Sequence, residues 1–444
     1  MLRLVEAFSG IGSQAKALEN TGIPFETVMT VEWDINAILA YCLIHKKTID
    51  TSEFENLSDE EVTDFLSACG LSNDSKQPMN DKALALLSPE TRLQIYAAIK
   101  NTNNLVDIKK VRGESVPEDT DVFVYSFPCQ DLSAARFWQK KAGGIRKEDK
   151  TRSGMLWEIE RILSEMKSEG SKLPRILLME NVPAITGSRY SKDFGRWKHF
   201  LEKLGYINQS MVLDARNFGI PQGRERYFMV SVFTGDNEEL QESVRQFYRN
   251  NNLEDRQHGE CFHRRELELK DLLRTDYSNP IYRQEAIEYQ PNETPSRHQI
   301  SLDNPLIYRK DGTTESVVAT ITTKQDRNPN SGLVYCEPLK EGKPEWRYLT
   351  SRECFMLMGF DEEDYERIAS FKRESPDKKG IFSNMSLDRM AGNSIVVDVL
   401  EEIFLQFPAV REMQDRYENP KAVSPEEKEW ISSFFPIFRW GAKN

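Results

Sequence analysis

Cysteine patterns that bind zinc or build disulfide frameworks are missing from this sequence. Its six cysteines, at positions 42, 69, 129, 261, 336 and 354, include no CxxC pair, so no metal centre and no disulfide scaffold is expected. Long apolar runs are missing too, and nothing approaches the roughly 18 to 20 residues that cross a bilayer. The opening MLRLVEAF reads as a strand rather than a charged stretch followed by an apolar targeting segment. A cytoplasmic protein with no membrane partner is expected. A surplus of positive charge is also lacking: 59 Lys plus Arg stand against 71 Asp plus Glu, a net charge of −12. That excludes a nonspecific polybasic binder and confines any nucleic-acid surface to a local patch. What is present is a 444-residue chain, 39% hydrophobic and 29% charged, long enough for two or three domains around a sizeable core.

Short apolar runs alternate with longer amphipathic stretches through the first half, the pattern of a doubly wound, mostly parallel α/β sheet. Strands are expected at 3–8, 25–32, 122–126, 176–180, 210–213 and 227–233, and helices starting near Ser13, Asp34, Met155 and Phe194. Residues 51–104 interrupt this rhythm. Their first part carries seven acids and no Lys or Arg up to Ser75, and 83–99 has helical spacing, so a solvated helical decoration is expected. From 234 the alternation gives way to polar, Tyr-rich and Pro-containing segments. The expected division is a catalytic domain over 1–233, a smaller irregular domain with a returning segment over 234–387, and a segment over 388–444 that completes the first domain.

The first strand runs into Phe8-Ser9-Gly10-Ile11-Gly12-Ser13-Gln14-Ala15, a Gly-x-Gly-x-x-Ala turn where missing Cβ atoms let backbone approach a nucleotide. Glu32 follows Gly10 by 22 residues, where a carboxylate can accept ribose hydroxyls. This pair suits NAD equally well. Phe127-Pro128-Cys129-Gln130 places a cysteine just beyond a strand's carboxyl end, the ligand-binding edge of an open α/β sheet. An isolated cysteine is more often inert and buried, but this setting suits a nucleophile. Next comes a loop with seven basic residues against three acids, Arg136, Lys140 and Lys141 among them, with Gly143-Gly144 inside. Such a loop is suited to close over a polyanion. Ile176-Leu177-Leu178-Met179 delivers Glu180 to the same edge, where partial desolvation raises its proton affinity. In Gln222-Gly223-Arg224-Glu225-Arg226 the alternate arginines point to opposite sides of an extended chain, one for structure and one for substrate.

Together the ordered motifs FSGIG, EWD, Asp107-Ile108, FPCQ, ENV, QGRER, the segment from Arg347 to Phe360 and AGNSIV resemble the DNA cytosine-5 methyltransferase family of bacterial restriction-modification type, over nearly the whole chain. The resemblance implies a Rossmann-like methyltransferase domain plus a target-recognition domain, with S-adenosylmethionine as cofactor. Phe8, Ser9, Gly10, Ile11, Gly12, Glu32, Trp33, Asp107, Ile108, Pro128, Met155, Asn393 and Ser394 would surround it. It implies Cys129 as nucleophile on C6 of an extruded cytosine, Glu180 at N3 and Arg226 at O2, with Arg224 beside them in the catalytic set. Double-stranded DNA is the implied substrate, contacted by Gln130, Ser133, Arg136, Lys140 and Lys141 of the loop and by Thr320, Thr322, Lys324, Gln325 and Arg327 of the recognition domain. A restriction endonuclease acting on the same site is an implied partner. The competing readings are a transfer-RNA cytosine-5 methyltransferase, an NAD-dependent dehydrogenase and an inactive cofactor-binding module. Cys261-Phe262-His263 departs from the Cys-Phe-Thr pattern of the RNA branch, and a dehydrogenase leaves PCQ, ENV and QGRER unexplained.

Overall fold

The computed structural model describes residues 1–129, 132, 145–147, 153–255, 265–325, 329–377 and 381–418. Strands β1 (Leu2–Ala7), β2 (Phe25–Val31), β3 (Val122–Tyr125), β4 (Ile176–Asn181) and β5 (Tyr206–Asp214) are followed by the two-residue β6 (Gln222–Gly223) and by β7 (Glu225–Phe233). All but β6 join in one six-stranded sheet of order β2-β1-β3-β4-β7-β5. The first four run parallel, and β7 lies antiparallel between β4 and β5. Side chains alternate between two cores across this sheet. Leu4, Val122, Val124, Ile176, Leu178 and Val230 face one core with helices α1 (Ser13–Thr21) and α2 (Ile35–His45). Val5, Phe123, Tyr125, Leu177, Met179 and Met229 face the other. Burial on both faces is why the central strands read as continuous apolar runs.

The insertion forms α3 (Asp59–Cys69), α4 (Asp81–Ala85) and α5 (Pro89–Asn101), started by Ser58, Asn80 and Ser88 caps. It is helical as expected, but it is no mere decoration. Val62, Leu66, Leu71, Leu84, Ile95, Ala98 and Ile99 are buried in the same core as α1 and α2, while the acids that suggested solvation occupy the outer turns. Polar composition on one face hid an apolar stripe on the other.

On the second core, α6 (Leu156–Glu169) and α7 (Ser191–Leu204) bury Ile159, Ile162, Trp197 and Leu201. After β7, α8 (Glu238–Asn250) buries Leu240, Val244 and Phe247 against the body of the large domain, so the expected boundary at 234 precedes a helix that belongs to that domain. The smaller unit holds α9 (Leu269–Leu272), α10 (Pro280–Tyr289), α11 (Pro295–Asp303), β8 (Leu306–Tyr308), β9 (Val318–Ala319), β10 (Leu333–Tyr335) and β11 (Trp346–Arg347). β9 pairs in parallel with β6, tying this unit to the catalytic edge. The chain re-enters the main core well before 388, through α12 (Ser351–Leu357) and α13 (Glu362–Glu374), which bury Phe355, Leu357, Tyr365 and Ile368. A fully buried ion pair marks the crossing: Arg347 donates from both terminal nitrogens to Glu353, each at 2.7 Å. α14 (Asn384–Asn393), α15 (Val397–Leu405) and α16 (Phe407–Glu418) complete the large domain.

Candidate active site

The carboxyl ends of β1 to β4 open into a cavity of about 490 Å³, a size suited to a nucleoside-bearing cofactor. At its catalytic end, β3 delivers Phe127-Pro128-Cys129. Two contacts brace this turn: Asn181 Nδ2 donates to Phe127 O at 3.2 Å, and Ser153 Oγ donates to Pro128 O at 2.7 Å. Glu180, on β4, lines the same cavity and lies opposite Phe228 on β7. Two residues before Phe228, Arg226 sets its Nε 3.2 Å from Glu180 Oε1, both side chains being largely buried. Burial raises the proton affinity of Glu180 against the pull of Arg226 and Arg224. Burial also raises the Cys129 thiol, reinforced by Glu180 and opposed by the same two arginines.

The two arginines divide as their alternation predicts. Arg226 turns toward Glu180, whereas Arg224 spends its terminal nitrogens on three backbone carbonyls: Ile321 at 2.9 Å, Gly392 at 3.0 Å and Ser394 at 2.7 Å. Burial pulls Arg224 down to about 9, with Arg226 adding to the effect. Although it borders the cavity, its hydrogen bonds are structural and join the smaller unit, the end of α14 and the start of β7.

The same cavity is also lined by Phe8, Ser9, Gly10, Ile11, Glu32, Trp33, Asp107, Ile108, Pro128, Met155, Asn393 and Ser394. Gly10 has φ +54° and open space where a Cβ would lie. Glu32 accepts from the N–H groups of Gly10, Trp33 and Asp34 at 3.0, 2.9 and 2.8 Å, leaving one of about four acceptor positions free. Burial pushes its carboxyl up to about 7. Asn104, from the insertion, clasps the backbone of Glu32 with both ends of its amide at 3.0 Å.

Gly12 is the expected cofactor residue that does not line the cavity. It has φ +79°, and a Cβ there would meet His45 Nε2 at 2.2 Å. Its missing side chain admits α2 rather than a ligand. In the smaller unit, Gln325, expected at the DNA, is buried and uses its amide to accept from Ser331 Oγ at 2.9 Å and to donate to Thr322 O at 3.4 Å, both within its own loop. Thr320 gives its hydroxyl to Gly223 O at 2.6 Å. Thr322 is half-buried and Lys324 exposed. Gln130, Ser133, Arg136, Lys140, Lys141, Gly143, Gly144, Cys261 and Arg327 lie outside the described residues. Residues that sequence reasoning missed also border the cavity, among them Gln14, Ser75, Lys76, Pro78 and Arg389. Arg389 sits four positions before Asn393 on α14, a same-face spacing that was available as a signal; Ser75 and Lys76 had none.

The family model for the C-5 cytosine-specific DNA methylase matches residues 82–408. The chain belongs to that family. It is 32% identical over 413 residues to the Type II methyltransferase M2.ScrFI of Lactococcus lactis subsp. cremoris, a match spanning 91% of this chain and 98% of that protein. Identity is also 32% to the orphan methyltransferase M.SssI of Spiroplasma monobiae, over 90% of this chain and 96% of the relative. The fold resembles that of the Dnmt2 methyltransferase from S. pombe with a TM-score of 0.55 at 17% identity, covering 91% of this chain and 97% of that one. The protein is therefore a DNA cytosine-5 methyltransferase: it transfers a methyl group to C5 of cytosine in DNA, and the RNA-directed, dehydrogenase and inactive readings fall away. Among the described residues no helix is long and apolar enough to cross a membrane, and no group of three or more His, Cys, Asp or Glu could hold a metal ion.

Proposed function

We propose that Cys129, Glu180 and Arg226 carry the reaction, with S-adenosylmethionine as methyl donor. The observation that carries this reading is that all three open into the one cavity that also holds the glycine turn, Glu32 and Asp107. That end fits the cofactor. Gly10 leaves room for close backbone approach, Glu32 keeps a free acceptor for a ribose hydroxyl, and Asp107 offers a carboxylate to an adenine amino group. When bound, S-adenosylmethionine supplies an electrophilic methyl group.

C5 of cytosine is a poor nucleophile until a group adds to C6. Cys129, having lost its thiol proton to solvent, forms the Sγ–C6 bond as thiolate; the C5–C6 double bond breaks and the ring's electrons move to give an enamine whose N3 gains a proton. Glu180, whose proton affinity burial raises, is suited to supply that proton and to share it with N3. Arg226, held by Glu180, presents its guanidinium to O2 and stabilises the charge that develops there. After methylation the C5 proton leaves to a base and the Cys129–C6 bond breaks, restoring the aromatic ring. The target base must leave the duplex to reach this pocket, at a cost of roughly a few kcal/mol. Residues 234–345 hold 15 basic and 21 acidic residues, so target reading there rests on a local patch, with Thr322 and Lys324 as its described members. A cytoplasmic enzyme acting on duplex DNA follows, and a cognate restriction endonuclease is the partner that a Type II arrangement would add.

Duplex DNA carrying 5-fluorocytosine at the target tests the covalent step, because fluorine cannot leave as a cation. With S-adenosylmethionine present, a protein–DNA adduct that survives denaturation should accumulate in the wild type and be absent from Cys129→Ala, while the variant keeps its cofactor affinity. Methylation of normal DNA without any adduct on fluorinated DNA would sink the assignment.

A further inference from the structure

The insertion reaches the cavity through the loop between α3 and α4. Gly70, Ser75, Lys76 and Pro78 form part of its wall. This loop is fixed at three points. The backbone of Ser72, which is fully buried, donates to Trp33 O at 2.7 Å and accepts from Ile35 N at 2.8 Å, bracketing the turn after β2. At the root of the loop, in the last turn of α3, Ala68 O accepts from Lys110 Nζ, three residues past Asp107, at 2.7 Å. Arg389, on the returning helix α14, donates from one nitrogen to Asp34 Oδ2 and to Asn73 O, both at 3.0 Å, and Ser75 Oγ donates to the same Asp34 oxygen. Asp34 and Arg389 are 3% and 15% exposed in their side chains, so water screens their pairing only weakly.

We propose that the 70–78 loop is a built wall of the nucleoside half of the cofactor site, and that Arg389 is the positioning residue that holds it there. The inference rests on the S-adenosylmethionine reading above. The attachments decide which half is covered. Ser72 grips the backbone directly after Glu32, the ribose acid, and Lys110 grips the end of α3, from which the loop leaves, from the turn that carries Asp107, the adenine acid; neither attachment touches Cys129 or Glu180. A wall at this end touches what S-adenosylmethionine, its demethylated product and any shorter adenosine thioether have in common. It therefore sets affinity for all of them alike and leaves the reacting carbon untouched. Arg389 acts through Asp34 and Asn73, joining a segment near the chain's end to an insertion near its beginning.

Binding of S-adenosylhomocysteine and of 5′-methylthioadenosine, which lacks the amino-acid end, tests this by calorimetry on the full-length protein. Arg389→Ala, which removes both guanidinium hydrogen bonds to Asp34 and Asn73, should weaken both ligands by the same factor, about tenfold. KM for the methyl donor should rise with kcat nearly unchanged, and Arg389→Lys should restore part of the loss. Should Arg389→Ala fail to fold, replacing residues 73–77 by a Gly-Ser stretch of equal length keeps the Ser72 anchor and carries the same expectation. Weakening of S-adenosylhomocysteine alone would place the wall at the amino-acid end and overturn the inference, as would unchanged affinity for both ligands. A wild type that binds neither ligand would remove the cofactor assignment itself, and the wall with it.

Discussion

Glu180 and Arg226 form a largely buried pair whose purpose is readable from its imbalance. Burial raises the carboxyl, and the guanidinium 3.2 Å away only partly restores it. In the proposed mechanism Glu180 gives a proton to N3 and takes it back, a task that this balance suits. Cys129 is raised as well, so the two groups make opposite demands on pH. The thiolate gains as pH rises, while the protonated carboxyl is lost. kcat/KM should therefore trace a bell. Glu180→Gln should lower kcat by about 100-fold or more, change DNA affinity much less, and flatten the alkaline limb of that bell in a pH–rate series. An unchanged alkaline limb would assign that titration to another group. Arg224 belongs to a different class despite lying two residues from Arg226. Its three bonds to backbone carbonyls make it a joint between segments.

At the scale of elements, the β1–turn–α1 unit owes its shape to groups beneath it. Glu6, on β1 and fully buried, receives the Tyr41 hydroxyl at 2.5 Å and the Ala15 N–H at 3.3 Å. His45, packed against Gly12, pairs its Nε2 with Ile11 O at 3.0 Å and is pulled down to about 4 by burial. Both residues brace the glycine turn from behind, through α2 and the start of α1. Burial pushes Glu6 up from 4.5 to about 7, so the folded state prefers its neutral form. The stability this contributes is present below pH 4.5 and is lost as pH rises through about 7. Glu6→Gln removes the titration. The stability difference between wild type and Glu6→Gln, read from urea unfolding at pH 4.5 and pH 8, should shift in favour of the variant by on the order of 3 kcal/mol across that range. Curves that stay parallel would show that Glu6 ionises alike in both states.

Over the whole molecule, the large domain is assembled from three distant stretches: the N-terminal sheet, the insertion and the returning helices. The insertion supplies eight buried apolar residues to the shared core, from Val62 to Ile99, seven of them large. At roughly 1.5–3 kcal/mol for each large side chain buried, their loss is as large as the 5–15 kcal/mol by which a domain is ordinarily stable. Removing residues 51–104 with a short linker should therefore yield no cooperatively folding protein, as followed by circular dichroism on heating. A deletion variant that melts cooperatively near the wild-type midpoint would return the insertion to the status of decoration. The smaller unit is bound to the rest both by apolar packing, with Ile307, Val318, Ile321 and Val334 buried in the shared core, and by directed links such as the β6–β9 pairing, Arg224 to Ile321, Tyr289 to Asp388 and the Arg347–Glu353 pair.

The sheet, its helices and the chemistry at its edge were legible in the sequence because each leaves a local trace. Double burial makes β3 and β4 continuous apolar runs, and a turn at a strand's carboxyl end announces itself through glycine or proline beside a polar residue. The strand expected at 210–213 was found to begin at Tyr206, since its half-exposed start lacks a strong apolar signal. What only the tertiary structure decided concerns residues whose partners lie far away in the chain. Gly12 makes room for His45, Gln325 turns its amide inward, Arg224 is spent on carbonyls near 321 and 393, and α8 and α12 join the large domain. The insertion's loop meets the cavity through Asp34 and Arg389, 355 positions apart. Composition and periodicity record whether a residue is buried, but not which distant backbone it is buried against. That is settled when the segments pack.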